Sequence, residues 1–413
     1  MSGTTSHGQH VFDLVREPDF IRLWAVGWIN GILRWLEILA IGIFTYRQTE
    51  SELMVSLMLF ARMAPLLLVG ALLGAIAERI NRRTMVMVSM SVVCLTSVAL
   101  SLLAASGLLQ LWMVAAGACL SGIVSAIEFP ARRTMLVEVA GSERVSQAVS
   151  LDSSTQHATR AVGPLVGGAL IQWLGIDSVY VCSATAYALG VFGIATLRFK
   201  PAAPTATKQR LFGIVGEGLR YVRTEPTMLA VLLVTVCMNF LGFSYNSMMP
   251  VIGSDVLGLE GAAIGALMSS EGLGALLGAL LTAFFCRPPH YARLFFFGSC
   301  TFLFMVQAFL ACGSALLGAV FLFLAGIGLG AFAAMQSTIL LSLAPAGMRA
   351  RVMGLLAVSI GFGPLGVMLV GAVAEYLGAL LTVRLSTGLG LLSMVLCAFT
   401  LPVLVGIERV RGR

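Results

Sequence analysis

Long apolar stretches fill most of this chain and constrain its fold more than any single motif does. Of its 413 residues, 58% are hydrophobic and only 11% are charged, which is too little polar surface for a soluble protein of this length. A helix that crosses the hydrocarbon core of a bilayer, ~30 Å thick, needs about 20 apolar residues. Windows of that length predict twelve transmembrane helices over residues 20–45, 53–77, 84–105, 108–129, 147–174, 177–197, 228–251, 262–285, 293–312, 315–343, 352–377 and 379–405. The sequence therefore predicts an all-α membrane protein whose surroundings are the lipid bilayer.

The basic residues predict how these helices are oriented. If both termini are cytoplasmic, the predicted cytoplasmic segments contain all 26 Lys and Arg residues except Arg34, Arg47, Arg62, Arg160 and Arg384. This distribution follows the positive-inside rule. It predicts a multi-pass protein of the bacterial inner (cytoplasmic) membrane with both termini in the cytoplasm. Because topology explains the net charge of +7, we expect no nucleic-acid partner.

The sequence contains no motif of a catalytic or metal centre. Its eight cysteines stand singly in or beside apolar runs, without a CxxC pair, and we interpret them as small buried hydrophobic residues. The chain also has no phosphate-binding Gly-x-x-x-x-Gly-Lys-Ser/Thr loop, no HExxH motif and no nucleophile elbow. We therefore predict a monomeric transporter, not an enzyme, that uses no cofactor or metal. It would move a small-molecule substrate with energy from an ion gradient, and protons are the expected coupling ion.

Two short repeats indicate that the chain consists of two related halves. Gly-Ala-Leu-Leu-Gly-Ala occurs at Gly70–Ala75 and again at Gly274–Ala279, and Gly-Pro-Leu occurs at Gly163–Leu165 and again at Gly363–Leu365. Both pairs fall in corresponding helices of the two halves, at nearly the same offset. Such duplication is how many transporters build a site between two repeats. The predicted organisation is a six-helix bundle over 1–198, a cytoplasmic linker over 199–226 and a second six-helix bundle over 227–413.

The connection after the predicted helix 53–77 resembles the signature of the major facilitator superfamily. Residues 74–83 read Gly-Ala-Ile-Ala-Glu-Arg-Ile-Asn-Arg-Arg, where the family has Gly-x-Leu-Ala-Asp-Arg-x-Gly-Arg-Arg. Glu78 keeps the usual carboxylate. Asn81 replaces a glycine, which Asn can imitate if the turn needs a positive φ. The resemblance implies the major facilitator fold, with two pseudo-symmetric six-helix bundles.

Longer motifs resemble one branch of that superfamily, which contains the enterobactin exporter and macrolide-efflux-like proteins. These motifs are Phe-Pro-Ala-Arg-Arg at 129–133, Arg160 followed by Gly-Pro-Leu-Val-Gly-Gly at 163–168, and Arg-Ala-Arg-Val-Met-Gly at 349–354. The resemblance implies proton-coupled export of a small amphipathic molecule, siderophore or drug-like, by alternating access. The residues themselves leave two alternatives open: an importer or facilitator of a small solute or siderophore, and a lysolipid flippase.

Ionisable residues within predicted helices are candidates for proton coupling, because a charge at the bilayer centre costs ~2.5 kcal/mol or more. The helix limits place Glu37 and Glu271 near mid-membrane, and we expect one of them to bind and release the coupling proton. Asp152 and His157 are the alternatives, although a lone His in a polar helix segment is typical of a packing residue. Arg34 lies three residues from Glu37 on the same helix face. These two residues form either a fixed structural ion pair or the coupling pair.

A second group of residues is expected to bind substrate. Arg62 and Arg160 suit an anionic substrate such as a catecholate or carboxylate siderophore, or they neutralise Glu37 and Asp152. The predicted helix 228–251 mixes amide and hydroxyl side chains with apolar bulk, which is typical of a wall that meets an amphipathic ligand, or of packing. The predicted substrate-binding residues are Arg34, Arg62, Arg160, Trp35, Asn239, Tyr245 and Asn246.

A third group is expected to act in gating. We expect Glu78 to face the amino-terminal end of the predicted helix 352–377, where the helix dipole favours a carboxylate, and Arg79 or Arg82 to meet Glu128. The two Gly-Pro pairs are expected to break helices 147–174 and 352–377, as flexing points or as structural kinks. The predicted gating residues are Glu78, Arg79, Arg82, Arg83, Glu128, Arg349, Arg351, Gly163, Pro164, Gly363 and Pro364.

Overall fold

The structure is a computed structural model that describes residues 14–77, 81–141, 143–199, 220–345 and 348–405, and in these ranges all side chains except those of 66–77, 146, 350 and 405. Helices make up nearly all of the described ranges, which contain no strand. The predicted linker 199–226 lies mostly outside them, as do Glu78 and Arg79.

Six helices form the first half of the described chain. They are α1 (Pro18–Thr49), α2 (Glu52–Ala77), α3 (Arg82–Ala105), α4 (Leu111–Ala140), α5 (Val145–Trp173) and α6 (Gly175–Ala195). Asn81 begins α3 as its N-cap, with φ −59°, and its side-chain oxygen accepts from the backbone N–H groups of Arg83 and Thr84. The turn therefore needs no positive φ, and Asn81 replaces the family's glycine as a helix cap.

Helix α4 is longer than the sequence predicts. The predicted helix ends at residue 129, before Pro130, but the structure continues it to Ala140. The prediction was wrong because it followed apolar residues, whereas the continuation past Pro130 contains charged residues that are held by ion pairs. Arg132 and Glu138, which we expected in a loop, therefore lie on the helix and form ion pairs.

The second half of the described chain begins with an interrupted helix. It consists of α7 (Pro226–Cys237), a π turn over Met238–Gly242, α8 (Tyr245–Val251) and a second π turn over Ile252–Val256. The sequence predicts one continuous helix here. Pro250 lacks a backbone N–H donor, which disturbs the i to i−4 hydrogen bonds of the helix. Single π turns inside α-helices are frequently found at functional sites.

The remaining helices are α9 (Gly261–Phe285), α10 (Tyr291–Ala311), α11 (Ala315–Leu343), α12 (Arg349–Ile360), α13 (Gly363–Leu377) and α14 (Ala379–Thr400). A short 3₁₀ turn over Pro288–His290 connects α9 to α10. These bounds mostly agree with the predicted ones to within three residues. The remaining differences lie at helix ends, which apolar runs define less well than the presence of a helix.

The two Gly-Pro pairs behave differently. Helix α5 runs unbroken through Pro164, so the predicted break there was wrong. Gly163 lets α1 approach closely instead, because a Cβ at this position would lie 2.7 Å from the Ile32 carbonyl oxygen. In the second half the helix does stop, between α12 and α13, and Pro364 stands in the first turn of α13, where its missing N–H costs nothing.

The chain divides into two compact units. The first comprises Met1–Ile41 with Ala61–Thr207, and the second comprises Gly42–Phe60 with Lys208–Arg413. Within the described residues, ten helical segments are long and apolar enough to cross a membrane. Helix α5 is not among them, because Asp152, His157 and Arg160 lower its hydropathy.

Candidate functional site

The first unit contains an ion pair deep between α1 and α2. Arg62 donates to Glu37 over 2.9 Å, and the side chains of both residues are almost fully buried. The predicted Arg34–Glu37 pair is not formed, because Arg62 reaches Glu37 from the neighbouring helix. Of the two interpretations of Arg62, neutralisation of Glu37 matches the observed contact.

A second buried ionic cluster joins α4 to α5. Arg132 donates from Nε to Glu128 and from Nη1 to Asp152, each over 2.8 Å. All three residues are buried, with exposed fractions of 1%, 4% and 0%. The Arg133 guanidinium lies 3.6 Å from the other oxygen of Asp152. Two carboxylates thus share one fully buried arginine, so each depends on it for compensation of its charge.

This cluster corrects two predictions. Asp152 is neutralised by Arg132, not by Arg160, and Glu128 pairs with Arg132, not with Arg82. The cause lies in helix geometry: Glu128 and Arg132 are four residues apart on the extended α4 and therefore share a face. The burial of Arg132 was not predicted, because residue 132 was expected in a loop.

The contact between α1 and α5 presents two further arginines. Arg34 donates to the amide oxygen of Gln156 over 3.2 Å. One turn further along α5, the Arg160 guanidinium stacks on the Trp35 ring, 4.4 Å from its centroid. We call Arg34, Trp35, Gln156 and Arg160 the α1–α5 seam. All four are half-buried, whereas the carboxylates of the two clusters described above are buried and bonded to Arg62 or Arg132.

A small polar cavity lies beside the Glu37–Arg62 pair. Its lining includes Ser97, Ser121 and Tyr180. The Tyr180 hydroxyl is buried and has no hydrogen-bond partner. The space is large enough for about one water molecule, which is how such buried groups are usually satisfied.

The second unit is built around a different kind of polar contact. Tyr245 on α8 donates its hydroxyl to the carboxylate of Glu271 on α9, and each residue is only 1% exposed. The Tyr245 ring packs edge-on against Phe302, which also contacts Phe243. Glu271, predicted near mid-membrane, is therefore buried and hydrogen-bonded to a tyrosine whose ring packs against other aromatic rings.

Three other predicted site residues make local contacts. Asn239 donates to the Thr235 carbonyl one turn earlier, and Asn246 donates to the Phe243 carbonyl. The side-chain oxygen of Asn246 is buried without a partner. His157 lies half-buried on α5 between Gln156 and Arg160. The described residues contain no group of three or more His, Cys, Asp or Glu that could hold a metal ion.

The described gating candidates make contacts within their own units. Arg82 pairs with Glu138 on α4 over 2.6 Å, and Arg83 donates to the Ala195 carbonyl. Arg349 donates to the Ala344 carbonyl, and Arg351 contacts the Met348 sulfur. The prediction that Arg79 or Arg82 meets Glu128 was therefore wrong for Arg82.

Residues 42–60, which we call the first hairpin, make a set of contacts that was not predicted from the sequence. Within the second unit, the Tyr46 hydroxyl donates to Asp255. Glu375 accepts from the Ser51 hydroxyl over 2.9 Å and from the Leu53 backbone N–H over 3.1 Å. A signal was present, since Asp255 and Glu375 are carboxylates at the ends of apolar helices, but no local spacing indicates their partners.

Comparison with known proteins agrees with this architecture. The model of the transmembrane secretion effector family matches residues 11–408. The multidrug efflux pump Tap of Mycolicibacterium fortuitum is 28% identical over 371 residues, covering 84% of this chain and 86% of that one. The staphyloferrin A transporter of Staphylococcus aureus is 23% identical over 288 residues, or 70% of each chain. An uncharacterised MFS-type transporter of Bacillus subtilis is 26% identical, and the match spans 64% of its length.

Solved structures share the fold at low sequence identity. The nucleoside transporter NupG superposes with a TM-score of 0.68 at 13% identity, covering 94% of this chain and all of that one. A bacterial homologue of the human lysosomal transporter Spinster, inward-facing and occupied, gives a TM-score of 0.70 at 16% identity, with coverage of 94% and 96%. The resemblance seen in the sequence is thus confirmed. The chain belongs to the transmembrane secretion effector family of the major facilitator superfamily, and is a multi-pass membrane transporter of small molecules.

Proposed function

We propose that this transporter is a proton-coupled exporter of a small amphipathic molecule in the bacterial inner membrane. It would work by alternating access between two six-helix bundles, 1–198 and 227–413, joined by the linker 199–226, with both termini cytoplasmic. The observation that carries the proposal is Glu271, a carboxylate buried inside a membrane-spanning helix and hydrogen-bonded to Tyr245.

The Tyr245 contact suits a carboxylate that gains and loses a proton. A tyrosine hydroxyl donates to an ionised carboxylate and can also accept from a protonated one. The hydrogen bond therefore survives both states of Glu271. Glu37 is different, because protonating it would leave Arg62 buried and charged without its partner, which is costly. We assign proton coupling to Glu271. Asp152 shares the limitation of Glu37, and His157 remains the alternative.

The α1–α5 seam is proposed to bind the substrate. Arg34 and Arg160 are half-buried where α1 meets α5, Arg34 on the Gln156 amide and Arg160 over the Trp35 ring. Arginine forks bind carboxylate, catecholate or phosphate oxygens, and the Trp35 ring offers an apolar surface next to them. The substrate is therefore an amphipathic anion. The relationship to a staphyloferrin A transporter and to a multidrug efflux pump supports a small-molecule substrate.

The first hairpin is proposed to close the outer side of the transport path. Positive-inside orientation places residues 42–60 on the periplasmic side. There the bonds of Tyr46 to Asp255 and of Ser51 to Glu375 fix the hairpin within the second unit. Opening toward the periplasm would require these bonds to break. Glu78, Arg79 and the basic residues Arg349 and Arg351 remain the proposed cytoplasmic gate.

The test is substrate-dependent proton flux in proteoliposomes that contain the full chain. Anionic siderophores, cationic drugs and lysolipids would be offered in parallel. If export is coupled to protons, the pH inside the proteoliposomes should change only when an amphipathic anion is offered. Substrate movement without proton flux would favour a facilitator, and flux with lysolipids alone would favour a flippase. Either result would overturn the proposal.

A further inference from the structure

A groove of about 460 Å³ opens on the surface of the second unit, between α9, α10 and α11. Its floor is formed by the small residues Gly278 and Ala331, and its walls by Leu281, Phe285 and Phe297. The walls are apolar and their outer faces are uncovered, since Phe285 is 75% exposed and Phe297 is 52% exposed. In a membrane-spanning unit, such a surface is in contact with acyl chains.

Two basic side chains stand at one end of this groove. His290 and Arg293 line its mouth and are exposed, next to the short turn that joins α9 to α10. Arg293 lies in the first turn of α10, whose backbone N–H groups add partial positive charge. The predicted orientation puts this turn at the cytoplasmic face, where the anionic lipids of the leaflet meet the protein.

We propose that this groove binds one anionic phospholipid of the cytoplasmic leaflet. One acyl chain lies between Leu281, Phe285 and Phe297, and the phosphate contacts Arg293 and His290. Apolar walls together with basic residues favour this occupant. A free phosphate would leave the apolar walls without a ligand, and a lipid without net charge would be bound less tightly by the two basic residues. The site involves neither Glu271 nor the α1–α5 seam, so it does not depend on the proposed transport cycle.

The test is native mass spectrometry of the full chain, purified in detergent and supplied with phosphatidylglycerol or phosphatidylcholine of identical acyl chains. We expect phosphatidylglycerol to be retained preferentially. Arg293→Gln should weaken this retention about 5-fold, the effect of one basic residue near a lipid headgroup, and Arg293→Lys should preserve it. Arg287→Gln is the matched control, because Arg287 is exposed in the same turn but does not line the groove.

A further experiment tests the part of the site that binds the acyl chain separately from the part that binds the phosphate. Leu281→Trp should narrow the groove and reduce retention of phosphatidylglycerol, while inorganic phosphate at equal concentration should not displace the lipid. Equal retention of both lipids by the unmodified protein would overturn the proposal. So would equal losses in Arg293→Gln and Arg287→Gln, or displacement of the lipid by phosphate alone.

Discussion

The interiors of the two units place their charges in opposite ways. In the first unit, three buried carboxylates are held by Arg62 and Arg132, and two more arginines lie on the α1–α5 seam. In the second unit, the buried carboxylate Glu271 accepts from a tyrosine hydroxyl amid aromatic rings. An ion pair favours the charged form of its carboxylate, whereas a hydroxyl partner can stay hydrogen-bonded when the carboxylate is protonated.

This difference indicates that two duplicated halves can have different roles in transport. Both units bury polar groups that are expensive in a membrane. The first retains permanently charged arginines, which suit the binding of an anion. The second retains a group whose charge can change, which suits coupling to protons. Three sets of substitutions test this account, in order of decreasing effect, before the measurement that tests it directly.

The largest effect is expected from Arg132→Gln. It leaves Glu128 and Asp152 buried without their shared partner, and breaking a buried ion pair in this way costs about 3–5 kcal/mol. We expect a strong loss of thermal stability in detergent, measured as Tm.

Two control variants are compared with Arg132→Gln. Arg82→Gln removes an ion pair whose side chains are about a quarter exposed, and should cost no more than about 1 kcal/mol. Glu271→Gln keeps a hydrogen-bonding group for Tyr245 and should also be mild. If Glu271→Gln destabilises the protein as much as Arg132→Gln, then Glu271 belongs to a structural cluster and the contrast between the units disappears.

A smaller effect, confined to transport, is expected from Arg160→Gln and Arg34→Gln. Each removes a cation from the α1–α5 seam, whereas Arg62 and Arg132 stay hydrogen-bonded to Glu37, Glu128 and Asp152. We expect KM for an anionic substrate to rise about 10-fold, equivalent to about 1.4 kcal/mol, with little change in kcat or Tm. Arg16→Gln is the matched control, because Arg16 is exposed just before α1 and belongs to neither the seam nor the first hairpin. Equal KM values for all three variants would refute the seam as a binding site.

The smallest effect is expected at the first hairpin. Tyr46→Phe and Glu375→Gln each weaken exposed hydrogen bonds, which are worth about 0.5–1.5 kcal/mol. Tm should barely move, but the periplasmic side should open more often. Labelling of a cysteine placed at Ser56 by a membrane-impermeant reagent would measure this, and unchanged labelling would count against the hairpin as a gate.

Much of the fold was predictable from the sequence, while the contacts of the site were not. Apolar windows located the helices because lipid requires long apolar segments. The pairing of Glu37 with Arg62 was one of two open interpretations, since nothing local indicates which neighbouring helix supplies the cation. Arg132 was missed because the apolar window ends at residue 129. Tyr245 was identified without its link to Glu271, which depends on packing between α8 and α9.

The central claim is that Glu271, and not Glu37, carries the coupling proton. The direct measurement compares pH-gradient-driven transport with substrate exchange at equal pH, in proteoliposomes that contain the unmodified protein, Glu271→Gln or Glu37→Gln. We predict that Glu271→Gln loses driven transport and keeps exchange. Glu37→Gln should lower both in the same proportion, because it disturbs Arg62 but not coupling. Full driven transport in Glu271→Gln, or a selective loss of driven transport in Glu37→Gln, would contradict the account.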